Sequence, residues 1–565
     1  MNKLFFNLLV FTAFAVTIIS CGDQQSEKGD LIIYGGNIYT VSDTGIVEAV
    51  VSKGDKILFV GSKAEALKFK GDSTQLLDLK GKTMTPGLIE SHAHIMGIGY
   101  NRLNIDLMKV NSYEELIQKV EEVAANTPKG EWILGRGWHQ DKWKDQTETR
   151  FKGFPTHDDL SARVPDHPVW LKHASGHMGL ANAAAMEKAG IDRDSPQPDG
   201  GEIFMGIGGN PTGIFNETAQ SEIIKAIPES GAERETKALE LAVQELLENG
   251  ITSMHNAGAV RKEIDLFKEF AETGKLKVRV YTMLNGRDSL LLNDYFNSGP
   301  EIGLYNDHLT VRSIKLYADG ALGSRGAWLL EEYSDAEGKF GHNVMPMSAI
   351  QSVTSEGYRN GFQLCVHAIG DRANREVLDI FENTIKPDDK NHRFRIEHAQ
   401  HISLDDIPRF SELDVIASVQ AIHMSSDRPW AINRLGLQRI VDGAYVWQKL
   451  IQSGARVING TDAPVEPVSA IASFYSSVSR KTLEGKPAGG YEPEQKMTRP
   501  QALQAYTLDG AYGAFEEHIK GSIEVGKLAD FTIFSQDLMT VPEEDILDTQ
   551  VDYTIVGGEI VFERK

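Results

Sequence analysis

The stretch from Thr83 to Ile95, TMTPGLIESHAHI, interrupts an apolar run at Pro86-Gly87, resumes it at Leu88-Ile89, and then delivers Glu90, Ser91, His92 and His94 in close succession. Residues i and i+2 of a strand share a face, so both imidazoles leave the end of this strand on the same side. Neutral imidazoles so placed can hold a metal ion; they can equally be two ordinary surface histidines. The spacing alone does not separate these readings, and a metal site requires further ligands from other parts of the chain.

Outward from this stretch, the chain alternates apolar strand and amphipathic helix: GITSMHNAG, LKVRVYTML, LTVRSIKLYADG, GFQLCVHAIGD, RFRIEHAQ, DVIASVQ and ARVINGTDAP are the strand segments after Gly250. Such alternation implies an α/β fold with a parallel sheet. With MTPGLIESHAH as the first strand the count reaches the eight that close a (β/α)8 TIM-like barrel, expected over residues 86–514. In DRANREVLDIFENTI, Ala373, Val377, Leu378, Ile380 and Phe381 form the broad apolar stripe of a covering helix. The interval from His94 to Gly250 far exceeds a βα unit, so an insertion is expected at about residues 100–250. Its Gly- and aromatic-rich pieces, GEWILGRGWHQDKW, HPVWLKHASGHMGLAN and NPTGIFNETA, suit a pocket wall. Residues 31–85 and 515–565 alternate in hydropathy between glycines, and read as a small β-sandwich built from both ends of the chain.

The 565 residues contain 41% apolar and 24% charged side chains, which excludes a disordered chain and a multi-span membrane protein. Fifty-eight Lys and Arg against 80 Asp and Glu give a net charge of -22, which argues against nucleic acid or an acidic membrane surface as partner. Residues 1–20, MNKLFFNLLVFTAFAVTIIS, have the layout of a signal peptide, and IISC resembles a bacterial lipobox. On that resemblance Cys21 is the lipidated first residue of the mature protein and residues 21–30 are a tether; an uncleaved anchor helix is the alternative. The expectation is an exported lipoprotein, periplasmic or at the cell surface, anchored to a membrane by its lipid alone. The second cysteine, Cys365, then has no partner for a disulfide within the chain and reads as a small buried hydrophobe.

Barrel active sites lie at the C-terminal ends of the strands. There the sequence places His92 and His94 on the first strand, Lys315 within the fourth, His367 ending the fifth, His398 ending the sixth and Asp462 ending the eighth. His367 and His398 could be core residues satisfied by backbone, and Lys315 could pair with Asp319. Their recurrence at the ends of separate strands favours a shared site.

With these residues in hand, the chain resembles the amidohydrolase superfamily, and within it the amidohydrolase family 3 branch that includes N-substituted formamide deformylases. PGLIESHAHI, GRGW, IKLYADGALGSRGAWL, HAIGDRAN, RIEHAQ, SVQAIHMSSD and GTDAPV carry the likeness over nearly the whole mature chain. The resemblance implies two divalent metal ions, usually Zn2+, held by His92, His94, His367, His398 and Asp462, with Lys315 carboxylated by carbon dioxide as a bridge between them. It also implies cleavage of a C-N bond in a small N-formyl or N-acyl amine. Asp462 is suited to take a proton from the attacking hydroxide and pass it to the leaving amine. Trp138, His139 and His177 in the insertion, and Arg325, Gln420 and His423 after barrel strands, are candidates for substrate contact. Asn256 stands where the branch often has Asp. Two rivals remain at this point: a mononuclear deaminase of the same superfamily, which generally lacks the bridging lysine, and a non-catalytic binding lipoprotein. Oligomeric state is not legible.

Overall fold

The computed structural model describes residues 27–144, 150–228 and 231–565. The expected signal segment, Cys21 and the start of the tether lie outside the described residues.

Eight parallel strands form the central sheet: β1 Leu88–Ala93, β2 Ile251–Ala259, β3 Arg279–Asn285, β4 Leu309–Tyr317, β5 Gln363–Ala368, β6 Arg395–His398, β7 Ile416–Val419 and β8 Val457–Asn459. They neighbour one another in chain order, with Glu301–Gly303 added antiparallel to β4. Every residue of β1, β5, β6 and β7 is buried, as expected of a parallel sheet covered on both faces. The covering helix Asp371–Thr384 buries the predicted stripe of Ala373, Val377, Leu378, Ile380 and Phe381.

Glu90 draws β8 towards β1 and nearly closes the barrel. Its Oε1 accepts from Thr461 N at 2.8 Å and His92 N at 3.1 Å, and its Oε2 from the Thr461 hydroxyl at 2.9 Å. Asp462 N donates to His92 O at 2.7 Å across the same seam. Burial pushes the Glu90 carboxyl up to about 7, against the pull of these donors.

The stretch expected to be one strand is divided. Thr83–Pro86 leaves the barrel and lies between Leu31–Tyr39 and Phe531–Phe534, so that the two chain ends meet in one eight-stranded hydrogen-bonded sheet. Gly87 is the pivot. A Cβ there would come within 2.1 Å of the Thr252 hydroxyl, so the close approach to β2 requires glycine. A buried ion pair, Arg279 Nε to Asp530 Oδ2 at 2.7 Å and Nη2 to Oδ1 at 3.1 Å, fastens this sheet to β3.

After β1 the chain forms helix α1, Ile95–Leu103, and then departs into a six-stranded sheet drawn from Ile105 to Glu217. That unit has its own apolar clusters, one around Trp138, Val169 and Leu171 and one around Trp170 and Phe215. Helix α2, Ala232–Glu248, brings the chain back against α1.

Candidate metal centre

The C-terminal ends of β1, β6 and β8 bring His92, His398 and Asp462 together: one ligand atom from each lies within 4.8 Å of the other two, and all three residues are buried. His94 Nε2 stands 3.1 Å from Asp462 Oδ1, and the His367 ring centroid is 4.4 Å from that of His398. Lys315, 1% exposed, projects from β4 so that Nζ is 3.0 Å from His92 Nε2. The six residues expected from strand ends therefore converge. Lys315 does not pair with Asp319. That carboxylate instead accepts from the backbone of Trp328, Ile369 and Gly370 and lies 3.5 Å from His367 Nε2.

Whether these residues suit a metal can be tested on their outer contacts. His92 donates from Nδ1 to Glu397, His94 from Nδ1 to Ala257 O at 2.9 Å, and His398 from Nδ1 to Gln420 Oε1 at 2.7 Å. Each of these bonds fixes the tautomer that leaves Nε2 as a lone-pair donor, the arrangement characteristic of metal-bound histidine. His367 Nε2 and Asp462 Oδ1 are buried without a hydrogen-bond partner among the described residues. Burial holds His92 down to about 4, and His367 and His398 well below the ordinary imidazole value, so these three rings are neutral near pH 7. Burial opposes ionisation of Asp462, but the adjoining His94, His92 and His398 hold its carboxyl well below the usual range. Neutral imidazoles around an ionised carboxylate fit a Zn2+-like divalent cation. Burial also lowers the Lys315 amine, against Glu397 and Asp462, which favours the neutral form.

The backbone is strained at the same place. His398, Ala399 and Asp462 have φ of 76°, 43° and 56°, in the left-handed region that non-glycine residues seldom adopt. Two of these three are candidate ligands.

Above the ligands lies a cavity of about 990 Å3, lined by His367, His398 and Asp462, by barrel loops, and by the inserted unit. His139, His177, Arg325 and His423 all reach it. His423 stacks on His398 with ring centroids 6.3 Å apart, and its Nε2 is 3.2 Å from Thr461 O. His177 holds Glu217 at 2.9 Å, and Arg325 is paired with Asp335 at 2.9 and 3.1 Å. Two expected contacts are corrected. Trp138 is fully buried in the insertion, donates from Nε1 to Leu171 O at 2.8 Å, and is absent from the cavity wall. Gln420 is likewise absent from that wall; it orients His398. Cys365 is fully buried between Ala257 and Met283.

Sequence reasoning missed Glu397, Arg395 and Glu90. Arg395 and Glu397 are fully buried and joined by an ion pair, Nε to Oε1 at 2.7 Å. Two charged residues at i and i+2 in the apolar setting of RFRIEH were the available signal, since they face the barrel interior together.

Comparison with known proteins places the chain in context. The model of a family described as the amidohydrolase family matches residues 75–562. The putative amidohydrolase YtcJ of Bacillus subtilis (strain 168) is 31% identical, over 94% of this chain and 99% of that one. The N-substituted formamide deformylase of Arthrobacter pascens is 26% identical, over 96% and 99% respectively. Among solved structures, a metal-dependent hydrolase from Pyrococcus horikoshii OT3 superposes with a TM-score of 0.73 at 28% identity, covering 91% of this chain and 99% of that chain.

Proposed function

The chain belongs to the amidohydrolase family, a family of metal-dependent hydrolases, and from that premise we propose that it cleaves the C-N bond of a small N-formyl or N-acyl amine at a two-metal centre. The observation that carries this reading is the meeting of His92, His398 and Asp462 within 4.8 Å at the floor of the cavity, with Lys315 beside them. The name of the Arthrobacter relative supports an N-formyl amine as substrate.

In this reading His92, His94, His367, His398 and Asp462 would hold two divalent ions, Zn2+ by the nature of the donor set, with Lys315 contributing as a carbamate formed with carbon dioxide. A free ammonium would repel the cations, whereas a carbamate would offer them negative charge. Bound metal supplies an activated water and a Lewis acid for the substrate carbonyl. Asp462, ionised and close to His94, takes the proton of the oxygen nucleophile as it bonds to the carbonyl carbon and gives it to the nitrogen as the C-N bond breaks. His423 stands beside His398 at the cavity wall; with its Nε2 proton given to Thr461 O, Nδ1 is left to accept from the substrate N-H. The insertion supplies part of the cavity wall through His139, His173 and His177. The leader sequence and Cys21 support a lipid-anchored, exported form of this enzyme.

Amine release from a panel of N-formyl and N-acetyl amines tests the reaction, on protein as purified, after chelation, and after return of Zn2+. Turnover that disappears on chelation and returns with metal supports the reading. Turnover unaffected by complete metal removal contradicts it.

A further inference from the structure

One wall of the cavity offers hydrogen-bond acceptors without matching donors. Gln400, His423, Asp427 and Glu466 all line it, in the same space as His398 and Asp462. His423 and Asp427 are at i and i+4 of the helix Ala421–Gly443, and so stand one turn apart on a shared face. His423 ties this face to the metal centre, since its ring stacks on His398 with centroids 6.3 Å apart. Gln400 and Glu466 follow the candidate ligands His398 and Asp462 closely in the chain, in HAQ and DAPVE.

Each of these side chains has an acceptor left over. Gln400 is 5% exposed; its Nε2 donates to the Tyr445 hydroxyl at 2.8 Å, which leaves Oε1 without a partner among the described residues. His423 is 8% exposed; with Nε2 on Thr461 O at 3.2 Å, its Nδ1 is likewise free. Asp427 accepts only from the adjoining Ser426 hydroxyl, at 3.4 Å, and Glu466 has no donor among the described residues. Neither carboxylate forms a salt bridge there, whereas Glu202 on the same cavity wall is paired with Lys152 at 2.7 Å. Burial pushes the Asp427 carboxyl up to about 6, with Glu466 adding to the rise and His423 and Lys142 opposing it. Tyr445, which holds Gln400, is raised by burial and then by Asp427, so these groups are neighbours. Among the described residues, three metal-ligating atoms gather within 4.8 Å at His92, His398 and Asp462; Asp427 and Glu466 are outside that group. Their wall therefore suits an organic cation better than a further metal ion.

We propose that Asp427, Glu466 and Gln400 Oε1 form a subsite for an ammonium group carried by the amide substrate. The assignment deepens the C-N hydrolase reading of the same cavity and rests on it. His423 Nδ1 takes the scissile amide N-H, and the three acceptors lie beyond it, one helical turn along the wall. An ammonium has three N-H donors and no acceptor, which matches three acceptors that lack donors. Charge-assisted bonds of this kind, made in a partly desolvated wall, favour cationic over neutral substrates. A bound ammonium also offsets the repulsion between two carboxylates that have no cation of their own.

The test uses the metal-replete protein and two series of matched substrates. On the amine side, mono-N-formyl diamines with three-, four- and five-carbon spacers are set against analogues with methyl in place of the ammonium. On the acyl side, ω-aminoacyl butylamides with the same spacers are set against their methyl-ended analogues. In at least one series kcat/KM is expected to favour the ammonium by about tenfold or more, and Asp427→Asn to erase the preference through KM. A urea midpoint and metal content like the parent's show that the variant is folded, and Glu466→Gln provides a second, independent removal of charge. Calorimetric titration with the products, diamines against alkylamines and ω-amino acids against fatty acids, reads the preference without turnover. Failure of the subsite is thereby separated from failure of the hydrolase reading. Equal binding of ammonium and methyl members in both product series, or a preference that survives in both Asp427→Asn and Glu466→Gln, overturns the proposal.

Discussion

His92 donates its Nδ1 proton to Glu397, and this buried carboxylate is itself clasped by Arg395. The pair orients the imidazole and raises its basicity as a ligand. Glu397→Gln is expected to weaken metal binding by roughly 10–100-fold, measured by competition with a chromophoric chelator. Glu397→Ala additionally strands Arg395 and should cost roughly 3–5 kcal/mol of stability. Unaltered metal affinity in Glu397→Gln would show that the contact plays no part in ligation.

Lys315→Ala is expected to lose both bound metal and activity. Lys315→Arg should not restore them, because guanidinium keeps its positive charge. A short carboxylic acid added to the alanine variant should recover part of both by supplying the missing anionic oxygens. Elemental analysis beside amine release checks each outcome; full metal content in Lys315→Ala would exclude the bridging role.

The strand-end residues were legible because a barrel turns one-dimensional periodicity into a shared location: an apolar run ending in His, Lys or Asp already specifies the rim. The partners behind them were not. Glu397 and Gln420 act through contacts between strands whose register no local pattern encodes. Trp138 was misread because its glycine-flanked setting in GRGW suits a pocket wall as well as a core, and only the packing of the inserted sheet places its ring inside. The division at Gly87 was similarly hidden, since Thr83–Pro86 and Leu88–Ala93 are both fully buried strands but belong to different sheets.

Two histidines of the insertion predict an acid-sensitive fold. Burial holds His139 down to about 3 and His173 well below its ordinary value of 6.5. Below pH 6.5 the unfolded chain binds protons that the folded chain refuses, so stability falls as pH drops from 6.5 towards about 3. Urea midpoints across this window should decline with acidity, and His139→Gln should reduce the slope. An identical slope in the variant would remove His139 from the account.

Asn256 stands where a carboxylate was anticipated, and its Oδ1 accepts from Ile95 N at 2.9 Å at the start of α1. The amide serves this contact without a charge. Asn256→Ala leaves a buried N-H unpaired and should cost about 1–3 kcal/mol, read as a lower urea midpoint at unchanged m. It should also reduce activity, because the adjacent Ala257 carbonyl orients His94. A variant as stable and active as the parent would show that the bond is dispensable.

The most direct measurement of the central claim is an anomalous difference map from crystals of the metal-replete protein. The account predicts two peaks, each at about 2.0–2.2 Å from ligand atoms among His92, His94, His367, His398 and Asp462, with continuous density from Lys315 Nζ reaching between them. No peak among these residues would contradict the metal centre, and an unmodified Lys315 amine more than about 4 Å from every peak would contradict the bridged pair.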